Sequence, residues 1–80
     1  MRVVGEIPHT DCKITLFAWN SRYLIKFERG PLEQTFKINE YDITAESELR
    51  TLIDEQFIQQ TLIRFDEMQN SLAARLNSLG

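Results

Sequence analysis

The stretch FAWNSRYLIKFERGPLEQTFKI, residues 17–38, alternates apolar and polar side chains and is interrupted twice by turn-forming residues. Alternation with a period of two marks strands with two unlike faces. Extending the pattern back to Cys12 puts Ile14, Leu16 and Ala18 on one side, and Thr15, Phe17 and Trp19 on the other. In the next run Tyr23, Ile25 and Phe27 oppose Leu24, Lys26 and Glu28. In the last, Leu32, Gln34, Phe36 and Ile38 oppose Glu33, Thr35 and Lys37. Asn20-Ser21-Arg22 and Gly30-Pro31 supply the reversals, because Asn and Gly tolerate positive φ and Pro needs no ladder partner. Loops this short join antiparallel neighbours, so the spacing predicts strands at about 12–20, 23–29 and 32–39. RVVGEI, at about 2–7, is the expected fourth strand, at the edge.

Beyond Glu40 the apolar spacing changes to three and four residues, which predicts helix. No Gly or Pro occurs between Ala45 and Ser78. Thr44 is placed to cap the first turn, where Glu46 and Glu48 face the positive end of the helix dipole. The apolar stripe is not continuous, however. At 100° per residue, Leu49, Leu52, Ile53 and Phe57 lie roughly 120–130° around the axis from Ile58, Leu62, Phe65, Met68, Leu72, Leu76 and Leu79. A straight rod of that length would measure about 50 Å, too long for a domain of this size. We therefore expect a break near Asp54–Gln56, with Asp54 capping a second helix: helices at about 45–54 and 56–78. The fold class is α+β, an antiparallel three- or four-stranded β-meander followed by two C-terminal helices packed on one face.

With 80 residues and 9.4 kDa the chain forms one domain, residues 1–80, near the lower limit for a self-sufficient core. Hydrophobic residues make up 42% and charged residues 26%, a globular rather than a disordered composition. A net charge of −3 gives no electrostatic basis for a nucleic-acid or anionic-membrane partner. No apolar run reaches the roughly 20 residues that span a bilayer, and MRVVGEIPHT has no apolar core of a signal peptide. Cys12 is the single cysteine, which fits a reducing compartment; the expected location is cytoplasmic.

Candidate chemistry is sparse. His9, Asp11 and Cys12 stand close together, but three ligands in one pre-strand segment do not close a tetrahedral site, and no second cluster completes one. A Cys–His nucleophilic pair lacks an orienting third group. The acids Asp54, Glu55, Asp66 and Glu67 read as a wet helix face rather than a catalytic pair. The three glycines are isolated, so no phosphate loop is formed. We expect no catalytic residue, cofactor or metal. An alternative reading as a small-ligand binder or enzyme has no convergent polar set behind it.

The run CKITLFAWNSRYLIKFERGPLEQTFKI, residues 12–38, followed by a helical tail, resembles a family of short bacterial proteins of unknown function, of about 80 residues, known mainly as structural-genomics targets. That resemblance implies no activity, cofactor or site.

What remains is surface. One sheet face carries Ile14, Leu16, Ile25, Phe27, Phe36 and Ile38 and requires the helices. The other carries Phe17, Trp19 and Leu24 within a rim of Lys26, Glu28, Glu33 and Lys37, the composition of a half-buried patch. The second helical stripe, from Ile58 to Leu79, has spacings of 4, 3, 3, 4, 4 and 3, as a coiled-coil seam does. These features predict a structural or interaction module that forms a homodimer, with Phe17, Trp19, Leu24, Phe65, Met68, Leu72 and Leu76 as candidate interface residues. A regulatory subunit binding a different protein through the Phe17/Trp19 patch is the alternative.

Overall fold

A computed structural model describes residues 1–80. Four strands, β1 (Arg2–Ile7), β2 (Lys13–Trp19), β3 (Arg22–Arg29) and β4 (Leu32–Asn39), form one antiparallel sheet in chain order. A single 3₁₀ turn (Glu40–Asp42) leads to α1 (Ser47–Leu52) and α2 (Glu55–Asn77). The meander and its edge strand are those expected from the alternation.

The first hairpin loop is tighter than the sequence suggests, and the second is the expected Gly30-Pro31 pair. Asn20 and Ser21 alone turn the chain, with φ of 54° and 61°, so Arg22 already belongs to β3. Two consecutive positive φ values make a type I′ turn, whose twist matches that of the strands it joins. At the next hairpin Gly30 has φ of 58° and is followed by Pro31, the order a type II′ turn requires. In β1 the register shifts between Val3 and Gly5, leaving a bulge at Val4.

Ile14, Leu16, Ile25 and Phe27 of the inner sheet face are buried against Leu49, Ile53, Ile58 and Phe65 of the helices. Phe27 lies beside Phe57 with ring centroids 5.8 Å apart, and Phe36 meets Phe57 edge-on at 5.2 Å. Burying one such ring contributes about 1.5–3 kcal/mol, and the aromatic pairing about 0.5–1.5 kcal/mol more. A polar clamp lies next to it. Thr61, wholly buried on α2, donates its hydroxyl to the Phe57 carbonyl at 3.0 Å. Gln34 of β4 donates to the Thr61 carbonyl at 2.9 Å and accepts from Arg64 Nε at 2.9 Å.

The helical region breaks at Ile53–Asp54, slightly before the expected Asp54–Gln56, and Phe57, grouped with Leu49 by periodicity, belongs to α2 and packs on the sheet with Ile58. Asp54 is extended at ψ 176°, and its carboxylate accepts from the Phe57 amide at 2.9 Å. Two further details differ from expectation. α1 begins at Ser47, and its cap position falls on Glu46, which makes no side-chain cap bond. Thr44 instead works through Glu48, whose carboxylate accepts from the Thr44 hydroxyl and from the Thr44 and Ala45 amides. The side chain thus reaches backward to satisfy the amides of an irregular first turn. Leu52, placed on the apolar side by periodicity, is exposed, because α1 ends there before completing a second turn.

Asp54→Ala is expected to lower unfolding free energy by about 1 kcal/mol, and Asp54→Asn by much less. Urea denaturation of both variants checks this; equal losses would show that the cap bond is not what restarts the helix.

Candidate interaction surfaces

Three regions of the molecule present polar or apolar groups that its own packing does not absorb. The first is the β1–β2 loop. His9 Nδ1 accepts from the Asp11 amide at 3.1 Å, which leaves the ring proton on Nε2, 3.6 Å from a Glu55 carboxylate oxygen. His9, Asp11, Cys12 and Arg29 line a shallow open hollow of about 430 Å³. Cys12 is buried, and burial, aided by the Asp11 charge, pushes its thiol above the ordinary value. A thiol held protonated is a poor nucleophile and a poor metal ligand. Arg29 is engaged elsewhere, with Asp66 at 3.0 Å and over the Phe65 ring at 5.1 Å. No three His, Cys, Asp or Glu side chains converge in the geometry of a metal site. A hydrogen bond from Gln59 holds the Glu55 carboxyl below its usual range, so it serves α2 as an ionised first-turn acid.

The second region is the outer face of the sheet. Phe17 pairs with Leu24 across β2 and β3, and Val3 pairs with Phe17 across β1 and β2, so the three side chains adjoin on one face. Leu24 is buried by its neighbours alone, Phe17 is half-buried and Trp19 is 49% exposed. Met1, Phe17, Leu24, Lys26, Glu33 and Thr35 enclose a hollow of about 210 Å³. Around it Lys26 pairs with Glu33 at 3.2 Å, and that carboxylate holds the Lys26 ammonium above its ordinary value. Nearby, the Thr15 hydroxyl is buried without a hydrogen-bond partner. The apolar patch with its charged rim is therefore assembled as the alternation implies.

The third region is α2 itself. Phe57 lies against Phe36, Thr61 is bonded by Gln34, and Asp66 is bonded by Arg29, so α2 runs antiparallel to β4. At 23 residues it is about 34 Å long, against about 27 Å for an eight-residue strand. Its last turns pass beyond the sheet. The stripe is thus divided: Ile58 and Phe65 are buried, Leu62 and Met68 half-buried, and Leu72, Leu76 and Leu79 are 39%, 56% and 84% exposed. Phe65 is withdrawn from the candidate interface, since its ring is wholly enclosed by the chain's own sheet and Arg29. Beside β4 the overhang forms an open groove of about 640 Å³ whose lining includes Leu32, Gln34, Arg64, Met68, Leu72 and Arg75.

Phe17, Trp19 and Leu24 consequently lie on one side of the sheet, and Met68, Leu72 and Leu76 on the helix-bearing side, so they form two surfaces rather than one. Alternation places Gln34 on the inner face, but its clamp with Thr61 and Arg64 escaped the sequence reading. Thr61 occupies a polar gap in an apolar stripe, and only its partner on β4 makes that gap a contact. Comparison with protein-family models, curated proteins and solved structures returns no match. No helix is long and apolar enough to cross a membrane.

Glu48 provides a pH test. Its hydrogen bonds from Thr44 and Ala45 hold the carboxyl below its ordinary 4.5. A carboxyl depressed by folding contributes stability above its unfolded value and loses it as pH falls through the lower, folded value. Urea midpoints followed from neutral pH down to about 3 should therefore fall less steeply in Glu48→Gln than in the unmodified chain. Parallel curves would show that these bonds contribute nothing to folding.

Proposed function

We propose that this chain is a non-catalytic structural or interaction module that works as a homodimer. The observation that carries the reading is the division of the α2 stripe: the residues over the sheet are buried, whereas Leu72, Leu76 and Leu79 continue the same face into solvent. Exposed leucines in register with a core stripe are unfavourable in a monomer unless a partner covers them. A domain of this size also gains from association, because a second copy supplies core that one copy lacks. The non-catalytic reading is supported by the dispersal of the polar groups. The thiol is held protonated, and Arg29 and Arg64 are bound to Asp66 and Gln34.

A second reading has its own observation. Phe17, Leu24 and the half-exposed Trp19 lie on the opposite side of the sheet from the overhang. That face suits a different protein, and the chain would then act as a regulatory subunit with the dimer as its platform. No cofactor, nucleic acid or membrane enters either reading; the cytoplasm is the proposed compartment.

Sedimentation equilibrium at tens of micromolar is expected to return twice the 9.4 kDa chain mass, with a melting temperature that rises with protein concentration. A monomer of constant melting temperature over that range would overturn the homodimer.

A further inference from the structure

The two edges of the sheet are not alike. β1 carries the bulge at Val4, and Arg50 of α1 lies across it, donating to the Glu6 carbonyl at 3.0 Å. Gly5 lies directly beneath that guanidinium, which a Cβ there would displace. Bulges and side-chain cover are how natural sheets close an edge to strand addition. β4 has neither. It runs without irregularity through eight residues, and the only proline nearby is in the preceding turn.

Its free backbone groups can be assigned. The Glu40 amide donates to the Ser21 carbonyl at 3.1 Å, and Arg22 pairs with Asn39 in the same register. Bonded and non-bonded pairs alternate along an antiparallel ladder. Tyr23–Ile38, Ile25–Phe36, Phe27–Gln34 and Arg29–Leu32 are therefore the bonded pairs, and the amides and carbonyls of Glu33, Thr35 and Lys37 point outward. The side-chain hydrogen bonds made at β4 involve Gln34 and Asn39 and leave these groups free.

We infer that this edge pairs with the β4 edge of a second copy across a two-fold axis at Thr35, joining the sheets into one of eight strands. The inference rests on the homodimer proposed above and names its surface. The register follows from the sequence of the edge. With Thr35 opposite Thr35 of the other copy, Glu33 faces Lys37 and Lys37 faces Glu33, and each of these pairs joins outward-pointing backbone groups. On the inner face Leu32 meets Ile38, continuing the core side of the sheet. Centring instead on Glu33 or Lys37 puts like charges opposite each other, and centring on Gln34 or Phe36 separates Glu33 from Lys37, leaving them to face Thr35, Pro31 or Asn39. Charge thus selects one register among those the backbone allows. This pairing also sets the Gly30-Pro31 turn against residues 39 and 40 of the other copy. That brings its Tyr41, which is 85% exposed, to the end of the sheet from which the α2 leucines project.

Sedimentation of four variants tests this. Thr35→Pro removes only outward-pointing amides, which an edge strand tolerates, so the monomer fold should persist by circular dichroism. It deletes the two central intermolecular bonds and should weaken association by about tenfold or more. Lys37→Glu should weaken association as well, and Glu33→Lys with Lys37→Glu should recover it. Should Thr35→Pro fail to fold, the loss and recovery in the charge pair decides. The fourth variant, Leu72→Glu with Leu76→Glu, separates the surfaces. If that variant alone dissociates the dimer, while Thr35→Pro and the charge variants sediment as the unmodified chain does, the copies pair through the overhangs and the edge pairing is overturned. A monomeric unmodified chain would overturn the homodimer itself.

Discussion

The structure depends on a two-residue interruption, Ile53–Asp54. Leu49 and Ile53 on one side of it, and Ile58 and Phe65 on the other, occupy different faces of one helical register, so an unbroken rod would present only one pair to the sheet. Breaking the helix lets Leu49 and Ile53 of α1, and Ile58 and Phe65 of α2, converge on the same inner face. The Asp54 carboxylate makes the restart by satisfying the Phe57 amide, and Phe57 then completes the aromatic group with Phe27 and Phe36. The cap bond thereby starts the longest element of the molecule, and the contacts of Phe57 and Thr61 orient it.

That orientation has a consequence at the far end. Once Phe57 is seated over Phe36, and Thr61 is held by Gln34, the direction of α2 along β4 is decided. A helix longer than the strand beneath it must pass the end of the sheet, and its apolar face passes with it. The sheet's free edge is also β4, and α2 lies across β3 and β4. The unpaired backbone and the unpartnered leucines are therefore neighbours because the same helix placement produces both. The opposite edge is protected by the Val4 bulge and by Arg50, which α1 brings to it.

Much of this was legible in the residues. Period-two alternation in 12–38 allowed the meander, the membership of both faces and the grouping of Phe17 with Leu24 to be read before any coordinates, since a strand has no other way to sort its side chains. The jump in helical phase at residues 53–58 likewise betrayed the break. Other features depend on distant partners. Thr61 looks like a gap in an apolar stripe until Gln34, which is 27 positions away, supplies its meaning. Phe65 and Leu76 belong to one stripe and differ only in whether sheet lies beneath them, so periodicity placed both at the interface. The Val4 bulge and the phase of the β4 ladder are properties of pairing, and no single strand encodes them.

A second copy of this chain, paired as inferred above, would cover β4. Residue-resolved amide hydrogen exchange addresses it most directly, because within β4 the amides alternate between neighbours inside the sheet and the open side. Gln34 and Phe36 bond inward in either case, whereas Glu33 and Thr35 have no partner in one copy. With the protein at associating concentrations, the Glu33 and Thr35 amides are expected to exchange nearly as slowly as those of Gln34 and Phe36, and to speed up on dilution. Fast exchange of these two amides at every concentration, beside slow exchange of their neighbours, would contradict it.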